Sequence, residues 1–192
     1  SKIISGDNGG IDDLAELVDS LQQSNSTNEE LGQGKFLYIS SLLSSNQIDK
    51  ARSEIQKWIH DSPKSVENYL LLAEIEKKAA PSNKNKIEEL YQKAYSLDKN
   101  NLDANIYFAE KSIRVNDFET ALIHYKKAMA LNITNLKVVL GFYKTSKLLK
   151  QEDKAIRSIE VKLSTNKADP KYSLLLAQLY LSANKPQKTI EH

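Results

Sequence analysis

The stretch LDANIYFAEKSIRVNDFETALIHYKKAMALNITN, residues 102–135, decides how this chain is read. Numbered from 1 to 34, it carries Phe108-Ala109 at positions 7–8, Ala121 at 20, Tyr125 at 24 and Ala128 at 27. The same offsets recur on either side of it. With units starting at Gly32, Val66, Leu102, Leu136 and Pro170, the spacings are 34, 36, 34 and 34 residues. Position 8 then reads Ile39, Ala73, Ala109, Tyr143 and Ala177. Position 20 reads Ala51, Ile87 (after a two-residue insertion), Ala121, Ala155 and Thr189, and position 24 reads Ile55, Tyr91, Tyr125 and Ile159. A fixed period of this length marks a stacked array rather than a domain built round one central nucleus.

Each unit reads as two antiparallel helices. The expected helices cover 33–45 and 48–61, 66–79 and 84–98, 102–115 and 118–131, 136–149 and 152–165, then 170–183 with a stub from Pro186. Small residues at positions 8 and 20 let paired helices approach, and larger ones at 24 wedge between one pair and the next. The breaks fall where turn chemistry places them. Ser45-Asn46 and Asn116-Asp117 sit at within-unit turns, and Pro63 follows a helix end. Asp169-Pro170 reads as an N-cap followed by proline at the first helical position, where the missing N–H costs nothing. The insertion falls in Ala80-Pro81-Ser82-Asn83, where a loop tolerates it.

Upstream of the array, residues 1–10 hold Gly6, Gly9 and Gly10 and read as disordered. Ile11, Leu14, Leu17, Val18 and Leu21 then form the stripe of an amphipathic helix, followed by a polar linker, Ser24 to Asn28. The expected organisation is therefore 1–31 for this leading segment and 32–192 for the array. The segment is acidic: residues 1–31 carry seven acids against Lys2 alone, so the net charge of +2 hides a body of +8. It reads either as a solvated acidic arm or as an arm docked on the basic body.

At 40% hydrophobic residues the chain has enough apolar surface for a core, and no stretch is long and apolar enough to span a bilayer. The absence of cysteine excludes disulfides and thiolate chemistry. His60, His124 and His192 lack a second ligand at metal spacing and read as surface residues, His124 on a convex face. Gly32-Gln33-Gly34 lacks the rest of any phosphate-binding loop, and Glu88-Glu89 reads as a solvated face. No cofactor, metal or catalytic residue is expected, and the chain does not read as an enzyme.

Residues 102–128 resemble the tetratricopeptide repeat (TPR) family most closely, through Phe108-Ala109, Ala121, Tyr125 and Ala128, with departures at Ser112 and Ile133. The second unit adds Leu72-Ala73, Tyr91 and Ala94. The fifth adds Leu176-Ala177 and Tyr180, and the first adds Ala51 and Pro63. The fourth is least typical, with Tyr143 at position 8 and Lys162 at 27. The resemblance covers residues 32–192. It implies an all-α, right-handed superhelical solenoid of antiparallel helix pairs, whose first helices line a concave face that binds a peptide or partner protein.

Carried onto these residues, family geometry gives a partner-binding face of Phe36, Ser40 and Leu43. Next come Glu67, Leu70, Glu74, Asp103, Ile106, Tyr107 and Glu110, then Lys137, Lys144, Lys147, Lys171 and Gln178. The face runs from apolar to acidic to basic, which fits a bipolar peptide, because complementary charge steers and orients a partner. The family's carboxylate clamp is not matched: its slots hold Phe36, Ser40, Leu71, Asp103 and Tyr107. Gly141, mid-helix on this face, reads as relief of crowding by Tyr143 or as a small pocket.

In the fifth unit, Leu175, Leu176, Leu179 and Tyr180 lack a complete second helix. An exposed apolar edge or a homodimer contact is expected there, in a fragment of a longer array with Glu191-His192 as the stub of a tag. The resulting expectation is a non-catalytic protein-binding scaffold. It is placed in a bacterium, in the cell envelope in preference to the cytoplasm, with envelope assembly or secretion as its setting. RNA binding by the basic body, or service as a regulatory or oligomerising arm of a larger enzyme, are the alternatives. Nucleic acid is the less favoured partner because the lysines are interleaved with acids.

Overall fold

A computed structural model describes residues 8–24, 26–164 and 170–185. Every regular element among them is an α-helix. In chain order these are α1 (Asn8–Gln23), α2 (Asn28–Ser44), α3 (Ile48–Asp61), α4 (Val66–Ala79) and α5 (Lys84–Leu97). Then follow α6 (Leu102–Arg114), α7 (Phe118–Leu131), α8 (Leu136–Leu148), α9 (Glu152–Ser164) and α10 (Pro170–Ser182). Three or four residues join the two helices of each of the first four repeats, which forces antiparallel neighbours. The expected helices are found, and the small-residue offsets lie in the core: Ala51, Ala73, Ala109 and Ala121 have no exposed surface. The first ten residues divide, with Asn8 to Gly10 opening α1. Residues 1–7, Asp169 and the chain from Pro186 onward, Thr189 and Glu191-His192 included, lie outside the described residues. The chain divides into two compact units, residues 1–98 and 99–192.

In the first unit, α2 pairs with α3 and α4 with α5, while α1 lies along α2. Ile11, Leu14 and Val18 are buried in that contact. Gly34 permits the close approach, since a Cβ there would stand 3.0 Å from Leu21 Cδ1. The acidic segment therefore docks through its apolar stripe and keeps the carboxylates of Asp12, Asp13, Glu16 and Asp19 in solvent. Lys50 and Asp12, 3.9 Å apart and both exposed, add little. The segment is thus a docked arm and not a free one, held by apolar contact more than by charge.

α2 starts at Asn28, five residues before the expected position, and so takes in the last residue of the expected linker and the residues that follow it. Thr27 and Glu30 close a capping box. The Glu30 amide donates to Thr27 Oγ1 at 3.2 Å, and the Thr27 amide donates to the Glu30 carboxylate at 2.9 Å. Two otherwise unpaired N–H groups are satisfied this way, and the hydrogen bonds hold the Glu30 carboxyl below its usual pKa. Between α3 and α4, Arg52 forks onto the buried Glu76, with Nε at 2.9 Å and Nη2 at 3.3 Å from its two oxygens.

The turn inside a repeat has a fixed form. Asn46, Asn116, Lys150 and Asn184, each at position 15, have φ near +57° (57, 59, 57 and 55°). Around Asn46, the Gln47 amide donates to the Leu42 carbonyl and the Asn46 amide to the Leu43 carbonyl. Asp117 and Asn116, Gln151 and Lys150, and Lys185 and Asn184 repeat this pairing. This is the left-handed cap that satisfies the last helical carbonyls. The second repeat departs from it: its position 15 is Ala80 at φ −144°, and the inserted residues carry the chain to Asn83, which caps α5. The turns between repeats use side-chain caps instead: Ser65, Asn101 and Asn135 accept from the amides of Asn68, Ala104 and Val138.

In the second unit α6 pairs with α7 and α8 with α9, and α10 packs on both α8 and α9. Three expectations are corrected here. Gly141 is crowded by Tyr125, not by Tyr143: a Cβ at Gly141 would overlap the Tyr125 ring and come within 2.7 Å of its Oη. Tyr125 is thus the position-24 wedge between repeats, and burial, with Glu110 nearby, pushes its hydroxyl up to about 12. His124 is not a free surface histidine. It is half-buried against Phe108 (ring centroids 5.7 Å apart), with Nδ1 3.0 Å from Asn105 Oδ1. Asn105 Nδ2 donates to the carbonyls of Lys99 and Asn101, so the oxygen faces the ring and Nδ1 carries the proton. Burial, then Lys127, lowers the His124 pKa. Finally, Leu175, Leu179 and Tyr180 are covered, and the Tyr180 hydroxyl donates to Glu160 at 2.8 Å. The apolar residues that α10 leaves in solvent are Leu174 and Leu181.

Candidate functional site

The first helices of the repeats bury one flank against their partners, and their other flank holds the candidate residues except Ile106, which was expected on that face but is buried in the core. In the first unit these are Phe36 on α2 and Glu67, Leu70 and Glu74 on α4. The structure brings Phe36 and Glu67 together. With Glu29, Gly32, Gln33 and Leu37 they line a cleft of about 510 Å³. Phe36 is 56% exposed and Leu37 48%, a large apolar surface to leave in water. Glu29 accepts from the Gln33 side chain at 3.4 Å and Glu67 from the Ser65 hydroxyl at 3.0 Å. Neither closes an ion pair among the described residues.

Glu74 is differently placed. Its Oε1 accepts from Lys77 Nζ at 2.7 Å and from the Tyr91 hydroxyl at 2.8 Å, and that hydroxyl accepts in turn from Lys77. Its charge is spent inside the α4/α5 pair. Leu70 is half-buried. Behind the cleft, Lys35 is buried with its Nζ 4.8 Å from the centroid of the Trp58 ring. Burial pulls its pKa down, while Glu67 and Asp61 act across space in the other direction.

In the second unit the candidates are Asp103, Tyr107, Glu110, Lys137, Lys144, Lys147 and Lys171. Here the structure joins Glu110 on α6 to Lys137 on α8 at 2.8 Å. Lys147 lies 3.8 Å from Glu152. Tyr107 meets the Phe108 ring edge-on at 5.4 Å, with Arg114 at 5.9 Å. Asp103, Lys144 and Lys171 are exposed on the first turn of α6, the third turn of α8 and the first turn of α10. The acidic and basic residues of this unit are thus partly paired with one another, so its surface is closer to neutral than the separate charges suggest.

Glu29, Gly32, Gln33 and Leu37 were not among the candidates. Setting the first repeat at Gly32 left Glu29 in the leading segment, outside the array. The Thr27-x-x-Glu30 capping box was the available signal that the helix, and with it the cleft wall, starts earlier. Among the described residues no cluster of three or more His, Asp or Glu side chains could hold a metal ion, and no helix is long and apolar enough to cross a membrane.

Helix pairs of this length, with alanine at the crossing points and a wedge at position 24, define the TPR fold, and solved structures show the same fold. PilF of Pseudomonas aeruginosa is similar over 82% of this chain and 71% of its own, at 18% identity and a TM-score of 0.56. MamA is similar over 80% and 88%, at 17% identity and a TM-score of 0.52. YrrB, described as a TPR protein with an unusual peptide-binding site, is similar over 90% and 86%, at 15% identity and a TM-score of 0.51. No family model and no curated protein matches the sequence.

Proposed function

We propose that this chain is a non-catalytic scaffold that binds a protein or peptide through the exposed flanks of the first helices of its repeats. The observation that carries the reading is where large apolar side chains are left in water on those helices. Phe36 and Leu37 on α2, Leu148 on α8 and Leu174 and Leu181 on α10 are all 48% exposed or more. They lie among charged residues (Glu67, Lys144, Lys171) that supply direction. Apolar anchors within a polar rim are the anatomy of a recognition surface. The described peptide-binding site of YrrB, which has this fold, supports the same reading. Nucleic acid is the weaker alternative, because Lys137 is bound to a carboxylate and Lys147 lies beside one. Envelope assembly or secretion in a bacterium is the setting we favour. Its support is the Asn-, Ser- and Lys-rich, cysteine-free composition and the likeness to a Pseudomonas aeruginosa protein.

The test is affinity capture with the intact chain followed by mass spectrometry, repeated with Lys144→Glu plus Lys147→Glu and with Phe36→Ser. A partner retained by the wild type and depleted about tenfold or more by either variant supports the reading. A captured set that is identical for all three proteins removes it.

A further inference from the structure

The two carboxylates at the α2/α4 cleft have a consequence for what the cleft accepts. Glu29 stands in the first turn of α2, where its charge also suits the helix dipole. Its neighbour Glu30 is committed to the capping box, so Glu29 is the carboxylate of that turn left to face the cleft. Glu67 stands in the first turn of α4 on the opposite wall. Between them the floor is apolar, made of Phe36 and Leu37, and Gly32 contributes no side chain: a Cβ there would meet nothing within 4 Å. The cation that Glu67 influences across space, Lys35, sits with its Nζ 4.8 Å from the centroid of the Trp58 ring.

We propose that this cleft receives a cationic segment of another protein. One aliphatic or aromatic side chain lies on Phe36 and Leu37, and flanking Arg or Lys side chains reach Glu29 and Glu67. Charge complementarity selects the sign of the partner, and the exposed Phe36 ring adds a face on which a guanidinium stacks. The cleft's volume, about 510 Å³, suits one large side chain and its flanking backbone. The proposal rests on the scaffold reading above and narrows it to one partner chemistry at one place.

The experiment is a fluorescence-anisotropy titration of the full chain with three labelled synthetic peptides: an alternating Arg-Leu peptide, its Glu-Leu counterpart and an Arg-Ser counterpart. The Arg-Leu peptide is expected to bind saturably and to weaken with added salt. The other two are expected to bind at least about tenfold more weakly. Glu29→Gln with Glu67→Gln should weaken the Arg-Leu peptide by about tenfold or more. Gly32→Leu, whose Cβ would meet nothing within 4 Å, puts a side chain into the cleft and should abolish binding, whereas Lys154→Glu, at an exposed position of α9, should leave it unchanged. A helical circular dichroism spectrum and an unaltered melting midpoint confirm that each variant is folded.

Equal binding of the Glu-Leu peptide, or full affinity in the Glu29→Gln, Glu67→Gln chain, overturns the proposal. If no peptide binds while the captured partner still depends on Lys144 and Lys147, the cleft assignment falls alone. If capture depends on no first-helix residue either, the scaffold reading falls with it.

Discussion

Two repeat junctions, one in each unit, fill the same slots with different side chains. Where the first repeat meets the second, position 24 is Ile55 and position 6 of the next helix is Leu71, both buried. Where the third meets the fourth, the same offsets hold Tyr125 and Gly141, and the tyrosine ring occupies the space that a side chain on the glycine would need. Two medium residues are exchanged for one large and one absent. Charge follows a similar rule one turn away. Positions 9 and 2 are Ser40 and Glu67 in the first junction, which leaves an uncompensated carboxylate on an open cleft. In the second they are Glu110 and Lys137, bonded at 2.8 Å. One backbone arrangement thus yields an open, acidic junction and a closed, neutral one.

The size exchange is the most breakable part of this comparison. Gly141→Leu should overpack the Tyr125 slot and cost about 3 kcal/mol. Adding Tyr125→Ile, which recreates the Ile55/Leu71 solution, should recover more than half of that loss in urea unfolding. Gly141→Ala is the milder version. Helix propensity alone would stabilise it by about 1 kcal/mol, but overlap with a buried ring that has nowhere to move should make the net effect a loss of about 1–2 kcal/mol. An alanine variant that melts higher than the wild type would show that the slot is not size-matched.

That slot also shows where reading the sequence stops. The repeat itself is legible, because alanines at positions 8 and 20 and a wedge at 24 answer to backbone geometry that every unit shares. Gly141 stood out as a glycine in mid-helix, but Tyr143, two residues away, drew attention from Tyr125, sixteen residues back on another helix. Only the packing of α8 on α7 identifies the neighbour. His124 escaped for the same reason: its partner Asn105 lies on α6, and a histidine at position 23 looks solvent-facing when α7 is considered alone. In the candidate site, Phe36 and Glu67 were recoverable from repeat offsets because 31 residues separate positions 5 and 2 of successive helices. The Glu110–Lys137 bond follows from the same kind of offset, but residue identity alone assigned the two charges to separate, adjoining zones of a gradient. Pairing cancels charge over a few ångströms, a scale that composition does not carry.

The within-repeat turn offers a second, smaller contrast between the units. Position 15 is Asn46 in α2/α3 and Lys150 in α8/α9, both left-handed, at φ 57°. Asparagine tolerates that region and lysine pays a steric penalty for it. Lys150→Gly should therefore raise unfolding stability by about 1 kcal/mol, while Asn46→Gly should change it by less than about 0.5 kcal/mol. Equal responses at the two sites would mean that the turn, and not the residue, bears the strain.

The smallest effect expected is at the closed junction's ion pair. Lys137 is 61% exposed in its side chain and Glu110 36%, so solvent screens their attraction and a double-mutant cycle with Lys137→Ala and Glu110→Ala should return about 0.5 kcal/mol. Its weight lies in recognition more than in stability. Breaking the bond with Lys137→Ala leaves Glu110 beside a half-buried Tyr107, a second uncompensated carboxylate next to an aromatic ring, as at Phe36 and Glu67. If acidic rims on apolar floors are what attract a cationic segment, the Lys137→Ala chain should take up the Arg-Leu peptide at a second, weaker site. Glu110→Gln in the same chain should remove that site again. A single site in both variants would mean that the open cleft owes its selectivity to its shape and not to its charge.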